Sequence, residues 1–246
     1  MKRFIVFVFI FFIVLLTACS SDKEEAAVTK ETIATGSTVN EEPVLEERTE
    51  NSDEEKKMYL EFTIPNEQVT INLDYVPILD QYLQGLEDKQ QAIQQMELMK
   101  MEVPEMQPYY LLEFSCYENR CSYMLLDQSE EGRSFLLTDM AKFKQSSISP
   151  EKTMMMLLFE RQESKKEKQI STHKVMVFDL QEWKPVPIES EDYPLDYTLP
   201  IQQASWVDNE RIKLSLADFT QLENPSTEGW FQSEKPVKQI EINLNN

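Results

Sequence analysis

The stretch Tyr110-Leu111-Leu112-Glu113-Phe114-Ser115-Cys116-Tyr117-Glu118-Asn119-Arg120-Cys121-Ser122-Tyr123-Met124-Leu125-Leu126 decides how this chain folds. Two apolar, aromatic-rich runs, Tyr110–Tyr117 and Arg120–Leu126, flank Glu118-Asn119. Such runs favour strands, and a polar pair between them is turn chemistry, so the stretch reads as a β-hairpin. The turn also sets the register. Tyr117 and Arg120 flank it as the hydrogen-bonded pair, which places Cys116 opposite Cys121 as the next, non-hydrogen-bonded pair. Cα atoms in such a pair lie about 4.5 Å apart, inside the range a disulfide tolerates. A structural staple is the leading expectation for Cys116 and Cys121, with free thiols or a redox pair as alternatives.

The pattern continues on both sides. Towards the C-terminus, Ser134–Leu137, Met154–Phe159, Lys174–Leu180, Pro185–Ile188, Ile201–Trp206, Arg211–Leu216 and Val237–Leu244 read as short strands joined by polar turns, with Glu163–Gln169 as a charged insert. Towards the N-terminus, Met58–Ile64 and Val69–Leu73 alternate around the Pro65-Asn66 turn. Between them and the hairpin, Leu79, Leu83, Leu86, Ile93 and Met96 recur near a 3.6-residue period, which predicts one amphipathic helix over 78–101, entered at Pro77 and stopped by Pro104. The fold class expected is mainly β: antiparallel sheets, arranged as blades or a small sandwich, with one amphipathic helix near the domain's N-terminus. The domain spans 58–246.

Residues 20–57 have a different composition. Ser, Thr, Glu, Ala and Lys dominate, aromatic residues are absent and large apolar ones scarce. Such a segment buries too little surface to offset its chain entropy, so 19–57 is expected to be a disordered acidic arm. Ahead of it, Met1-Lys2-Arg3 leads into the apolar run Phe4–Leu16 and then Leu16-Thr17-Ala18-Cys19. A charged start, about a dozen apolar residues and a small-residue exit describe a secretory signal over 1–18, too short to span a bilayer.

Leu16-Thr17-Ala18-Cys19 resembles the lipobox of bacterial lipoproteins. The resemblance implies a diacylglycerol on Cys19, cleavage before it and a stable two-chain anchor on the outer face of the cell membrane. It also leaves Cys116 and Cys121 as an even pair in an oxidising compartment. A second resemblance covers part of the domain. Ser146–Thr153 and Ala204–Arg211, each a polar turn before an apolar strand, resemble the turns of TolB-like and WD40-like β-propeller blades, and Val175–Val186 resembles a blade's continuation. The resemblance implies blade-like units at about 109–140, 141–190 and 200–244. Their turn glycines are missing, and the spacing of about 57 residues exceeds that of ordinary blades.

Several chemistries are excluded or weakened. Four glycines, at 36, 85, 132 and 229, cannot build a phosphate-cradling loop, and a net charge of −20 argues against nucleic acid. His173 is the single histidine, expected at the surface, so no multi-histidine metal site can form. No Gly-x-Ser-x-Gly elbow or EF-hand loop occurs. No cofactor is expected, and the chain is read as non-catalytic. Two weaker candidates are copper-seeking thioethers and an exposed aromatic patch. The thioethers are Met96, Met99, Met101, Met106 and Met154–Met156, with Met96 and Met99 sharing a helix face. The patch comprises Trp183, Trp206, Trp230 and Phe231. Core packing is the ordinary use of both. The function expected is a membrane-anchored, extracytoplasmic module that contacts an envelope protein; the alternative is a lipoprotein binding a small ligand or metal, such as copper through Met.

Overall fold

The computed structural model describes residues 26–32, 42–48, 56–129, 132–165, 168–188, 193–223 and 225–244. Its architecture follows from the alternation of side chains along each strand. Among the described residues, four antiparallel sheets pack face to face, and the two inner sheets bury both of their faces.

The first sheet contains β1 (Val28–Thr32), β2 (Val44–Arg48), β3 (Lys57–Ile64) and β4 (Glu67–Asn72), in the order β1-β4-β3-β2. The second runs β5 (Glu97–Met101), β6 (Tyr109–Tyr117), β7 (Arg120–Leu126) and β8 (Ser134–Ile148). β8 belongs to two sheets. Ser134–Ala141 pairs with β7, and Lys142–Ile148 pairs with β9 (Met154–Lys165). Met140, at the changeover, has φ of 49°. This turn of the backbone lets one strand serve both sheets. The third sheet continues through β10 (Lys168–Asp179) to β11 (Lys184–Val186), with β12 (Asp196–Leu199) also on β10. The fourth is β13 (Ile201–Trp206), β14 (Arg211–Ala217) and β15 (Val237–Asn243).

Three cores lie between the four sheets. In the first, Leu60, Phe62, Val69 and Ile71 meet Tyr110, Leu112, Phe114, Met124 and Leu126. The next residues along the same strands, Tyr109, Leu111, Tyr123 and Leu125, turn the other way. They meet Met155, Leu157, Phe159 and Phe178 in the second core. Met154, Met156, Leu158, Val175 and Val177 then face Ile212, Leu214, Leu216 and Ile242 in the third. A strand buried on both faces needs an unbroken apolar run, which accounts for Met154–Phe159. β14 borders one core only and alternates, with Arg211, Lys213 and Ser215 half-exposed between buried Ile212, Leu214 and Leu216.

The mainly-β, antiparallel class read from the sequence holds. Four local expectations differ. The helical region is two short helices, α1 (Pro77–Gln84) and α2 (Lys89–Gln94), followed by strand β5. Gly85 ends α1, and the Asp88 carboxylate caps α2 by accepting from the Gln91 N–H. The expected charged insert is the far half of the β9–β10 hairpin, whose pairing runs out to Lys165 and Lys168. β8 continues well past Leu137. The acidic arm is the largest difference. Two of its segments, β1 and β2, form the edges of the first sheet, with Val28 opposite Ile71 and Leu45 opposite Leu60. Ala27 and Val28 are buried. One or two apolar residues suffice to seat an edge strand whose backbone bonds to a formed neighbour, so the low apolar content of 19–57 was not enough to exclude strand.

Candidate functional site

The stapled hairpin is the densest cluster of chemically distinctive side chains. Tyr117 pairs with Arg120 as expected, and Glu118 and Asn119 take positive φ of 49° and 62°, the backbone of a two-residue type I′ turn. Further down, Phe114 pairs with Ser122, so the register shifts by one residue between Phe114 and Tyr117. The extra residue is Ser115, with φ of 52°. Regular alternation would put Cys116 and Phe114 on the same face. The turn already puts Cys116 on the face of Cys121, so the bulge separates it from Phe114: Phe114 faces the first core and both cysteines pack against the second. The two Cα atoms are 4.1 Å apart and the sulfurs are at disulfide distance.

Glu113 lies on the same face. Its Oε1 sits 3.1 Å from the Cys121 sulfur and 3.6 Å from that of Cys116. Its Oε2 accepts a 2.6 Å hydrogen bond from the Tyr123 hydroxyl, which in turn accepts from the Phe143 N–H at 3.0 Å. Burial, reinforced by the bond to Glu113, pushes the Tyr123 phenol well above its ordinary value, so it stays a donor. A carboxylate this close disfavours a thiolate on either cysteine. Attack and departure in disulfide exchange both need thiolate, so the local charge suits a staple rather than a redox pair. Glu113, Cys116 and Cys121 are also near enough to share a metal ion if the sulfurs were reduced.

His173 is buried, not at the surface as expected. Its Nδ1 accepts from the Ile201 N–H at 3.0 Å and so ties β10 to β13. The neighbouring Glu160 is buried with it and pairs with Lys144 at 3.1 Å. Burial lowers the His173 pKa; Glu160 opposes this shift and Lys144 adds to it. Burial pushes the Glu160 carboxyl up, but hydrogen bonds from Ser171, Gln162 and Lys144 outweigh it and hold Glu160 below the usual carboxylate range. The group is a structural tie between the third and fourth sheets. Gln145 to the Ala204 carbonyl, and the Trp206 indole to the Ser147 carbonyl, bridge the same junction.

The other sequence candidates disperse. Met96 is on the first-core side. Met99, Met101 and Met155 serve the second core, and Met154 and Met156 the third, while Met106 is exposed. Met99 lies on a strand, so the helix face expected for Met96 and Met99 does not exist. The aromatic residues form no common patch. Trp183 stacks on Tyr109 and meets Phe178 edge to face, Trp206 packs against the third core, and Trp230 is buried on α3 (Thr227–Gln232) beside Phe231. Cys19 lies outside the described residues. Among the described residues, no helix is long and apolar enough to cross a membrane.

No family model matches the chain, and neither the curated proteins nor the solved structures contain a match.

Proposed function

We propose that this chain is a lipid-anchored lipoprotein of the extracytoplasmic membrane face, whose stacked sheets serve as a non-catalytic module contacting an envelope protein. The carrying observation is the junction Leu16-Thr17-Ala18-Cys19 at the end of an apolar run. The spacing of Cys116 and Cys121 supports it independently, because a cross-strand pair at disulfide distance belongs to oxidising compartments. Copper binding through Met is not favoured, because the thioethers are shared among separate cores.

The test has two parts. Mass spectrometry of the membrane-extracted chain is expected to find an acylated N-terminal Cys19, and Cys19→Ser to release the protein from the membrane. An unmodified Cys19 in the membrane fraction overturns the anchor. Crosslinking the lipidated protein in its own membrane is then expected to enrich one envelope protein. Copurification of copper or a metabolite, with no protein enriched, overturns the interaction reading.

A further inference from the structure

We infer that the tether is short and oriented: it holds one end of the sheet stack close to the bilayer and turns the Cys116–Cys121 hairpin tip away from it. The inference rests on the lipid-anchor reading. Its own basis is the seat of Ala27. The Ala27 carbonyl accepts from the Asn72 N–H at 2.8 Å, Val28 pairs with Ile71, and both residues are buried. Gly132, with φ of 58°, lies so close that a Cβ there would fall 2.2 Å from that of Ala27. The chain is thus clamped at Ala27 and Val28. Only eight Cα steps separate Ala27 from Cys19, and they reach at most about 29 Å even when fully extended. An arm running free to residue 58 would reach up to about 140 Å.

The clamp also selects an end of the stack. Gly132 is in the loop from β7 to β8, and its neighbour Arg133 reaches the Gln181 carbonyl and lies over Trp183, so the β10–β11 turn is at this end too. Leu180 bonds to Thr153, and Glu151 to Asn209, which adds the β8–β9 and β13–β14 turns. The hairpin tip is at the opposite end of β7, whose seven residues span about 20–24 Å. There Tyr117 is 62% exposed, the most open of the large apolar residues described. Val237, at the start of β15 opposite Ala217, is at that far end on the last sheet. A partner for the hairpin tip would then approach from outside rather than from within the bilayer. The opposite end, carrying Asp74, Tyr75 and the 179–184 turn, faces the lipid headgroups.

The experiment uses the full lipidated protein in vesicles of zwitterionic lipid containing a headgroup-labelled acceptor. A donor fluorophore is placed at Asp74→Cys, at Glu182→Cys as a second near-side position, and at Val237→Cys, each exposed in the fold. Energy transfer is expected to be at least about twofold stronger from positions 74 and 182 than from 237. Inserting twenty Gly/Ser residues between Lys23 and Glu24 is expected to abolish the difference. A chain that floats with the vesicles but shows equal transfer from all three positions overturns the inference alone. A chain that does not float overturns the lipoprotein reading, and the inference with it.

Discussion

Gly132→Ala tests the clamp directly. The residue has φ of 58°, and its new Cβ would lie 2.2 Å from the Ala27 Cβ, 2.9 Å from its nitrogen and 3.0 Å from its Cα. Two penalties combine. A non-glycine residue in the left-handed region costs roughly 1–2 kcal/mol. The overlap is with backbone as well as a methyl, so no side-chain rotation relieves it. The cheapest escape is for Ala27 and Val28 to leave their seat, which exposes a fully buried valine at about 1.5–3 kcal/mol. The sum is about 2.5–5 kcal/mol. With a urea m-value of roughly 2 kcal/mol/M, the unfolding midpoint should fall by about 1.2–2.5 M. The assay is urea unfolding of the chain from Ser20, followed by far-UV circular dichroism, alongside hydrogen exchange of β1. Exchange should accelerate in β1 and its partner β4 well before it does in β7. Ala27→Gly in the same background should recover part of the loss by removing the methyl. A Gly132→Ala midpoint within about 0.3 M of the parent, with β1 protection intact, would refute the clamp and leave the short tether without support.

Four further outcomes follow from the geometry. The folded His173 is held below its ordinary pKa, so the unfolded chain binds more protons. Its contribution to stability is present above about pH 6.5 and declines as pH falls from there towards the depressed folded value. His173→Asn keeps an acceptor for Ile201 without titrating, and should flatten that part of a urea-midpoint profile between pH 7.5 and 5; an unchanged slope counts against the buried tie. Cys116→Ala with Cys121→Ala should cost about 2 kcal/mol by loop-closure entropy, and the parent should show no free thiol by Ellman titration under denaturing conditions. Leu214→Ala, fully buried in the third core, should cost about 2–5 kcal/mol, whereas Lys213→Ala next to it should stay within about 0.5 kcal/mol. Glu113→Gln should make the disulfide easier to reduce, read as a shift in its equilibrium with glutathione, because removing the negative charge favours thiolate.

Local chemistry made much of the fold readable. Glu118-Asn119 between two apolar runs identifies a hairpin, and the turn alone puts Cys116 opposite Cys121. Alternation in Arg211–Leu216 marks a strand with one wet face, and the unbroken run at Met154–Phe159 marks one buried on both. The readings that failed depended on partners distant in sequence. Glu97–Met101 contains good helix formers and follows a helical period, yet it pairs with β6 because that sheet edge is available. Val28–Thr32 carries one buried apolar residue, too little for a pattern, yet it pairs with β4 along its whole length. Nothing beside His173 in sequence says that it meets Ile201 inside the protein.

By itself, the sequence determined the antiparallel, mainly-β character, the disulfide register and the apolar run Phe4–Leu16 ahead of Cys19. These depend on residues within a turn or a strand of one another. Tertiary structure alone decided that Ser115 bulges and so puts Phe114 on the opposite face from the Cys116–Cys121 pair, that four sheets share three cores, and that Ala27 is locked against Gly132. Those outcomes come from packing between segments tens of residues apart. A single buried methyl against a glycine can place an edge strand there without leaving any periodic mark in the sequence.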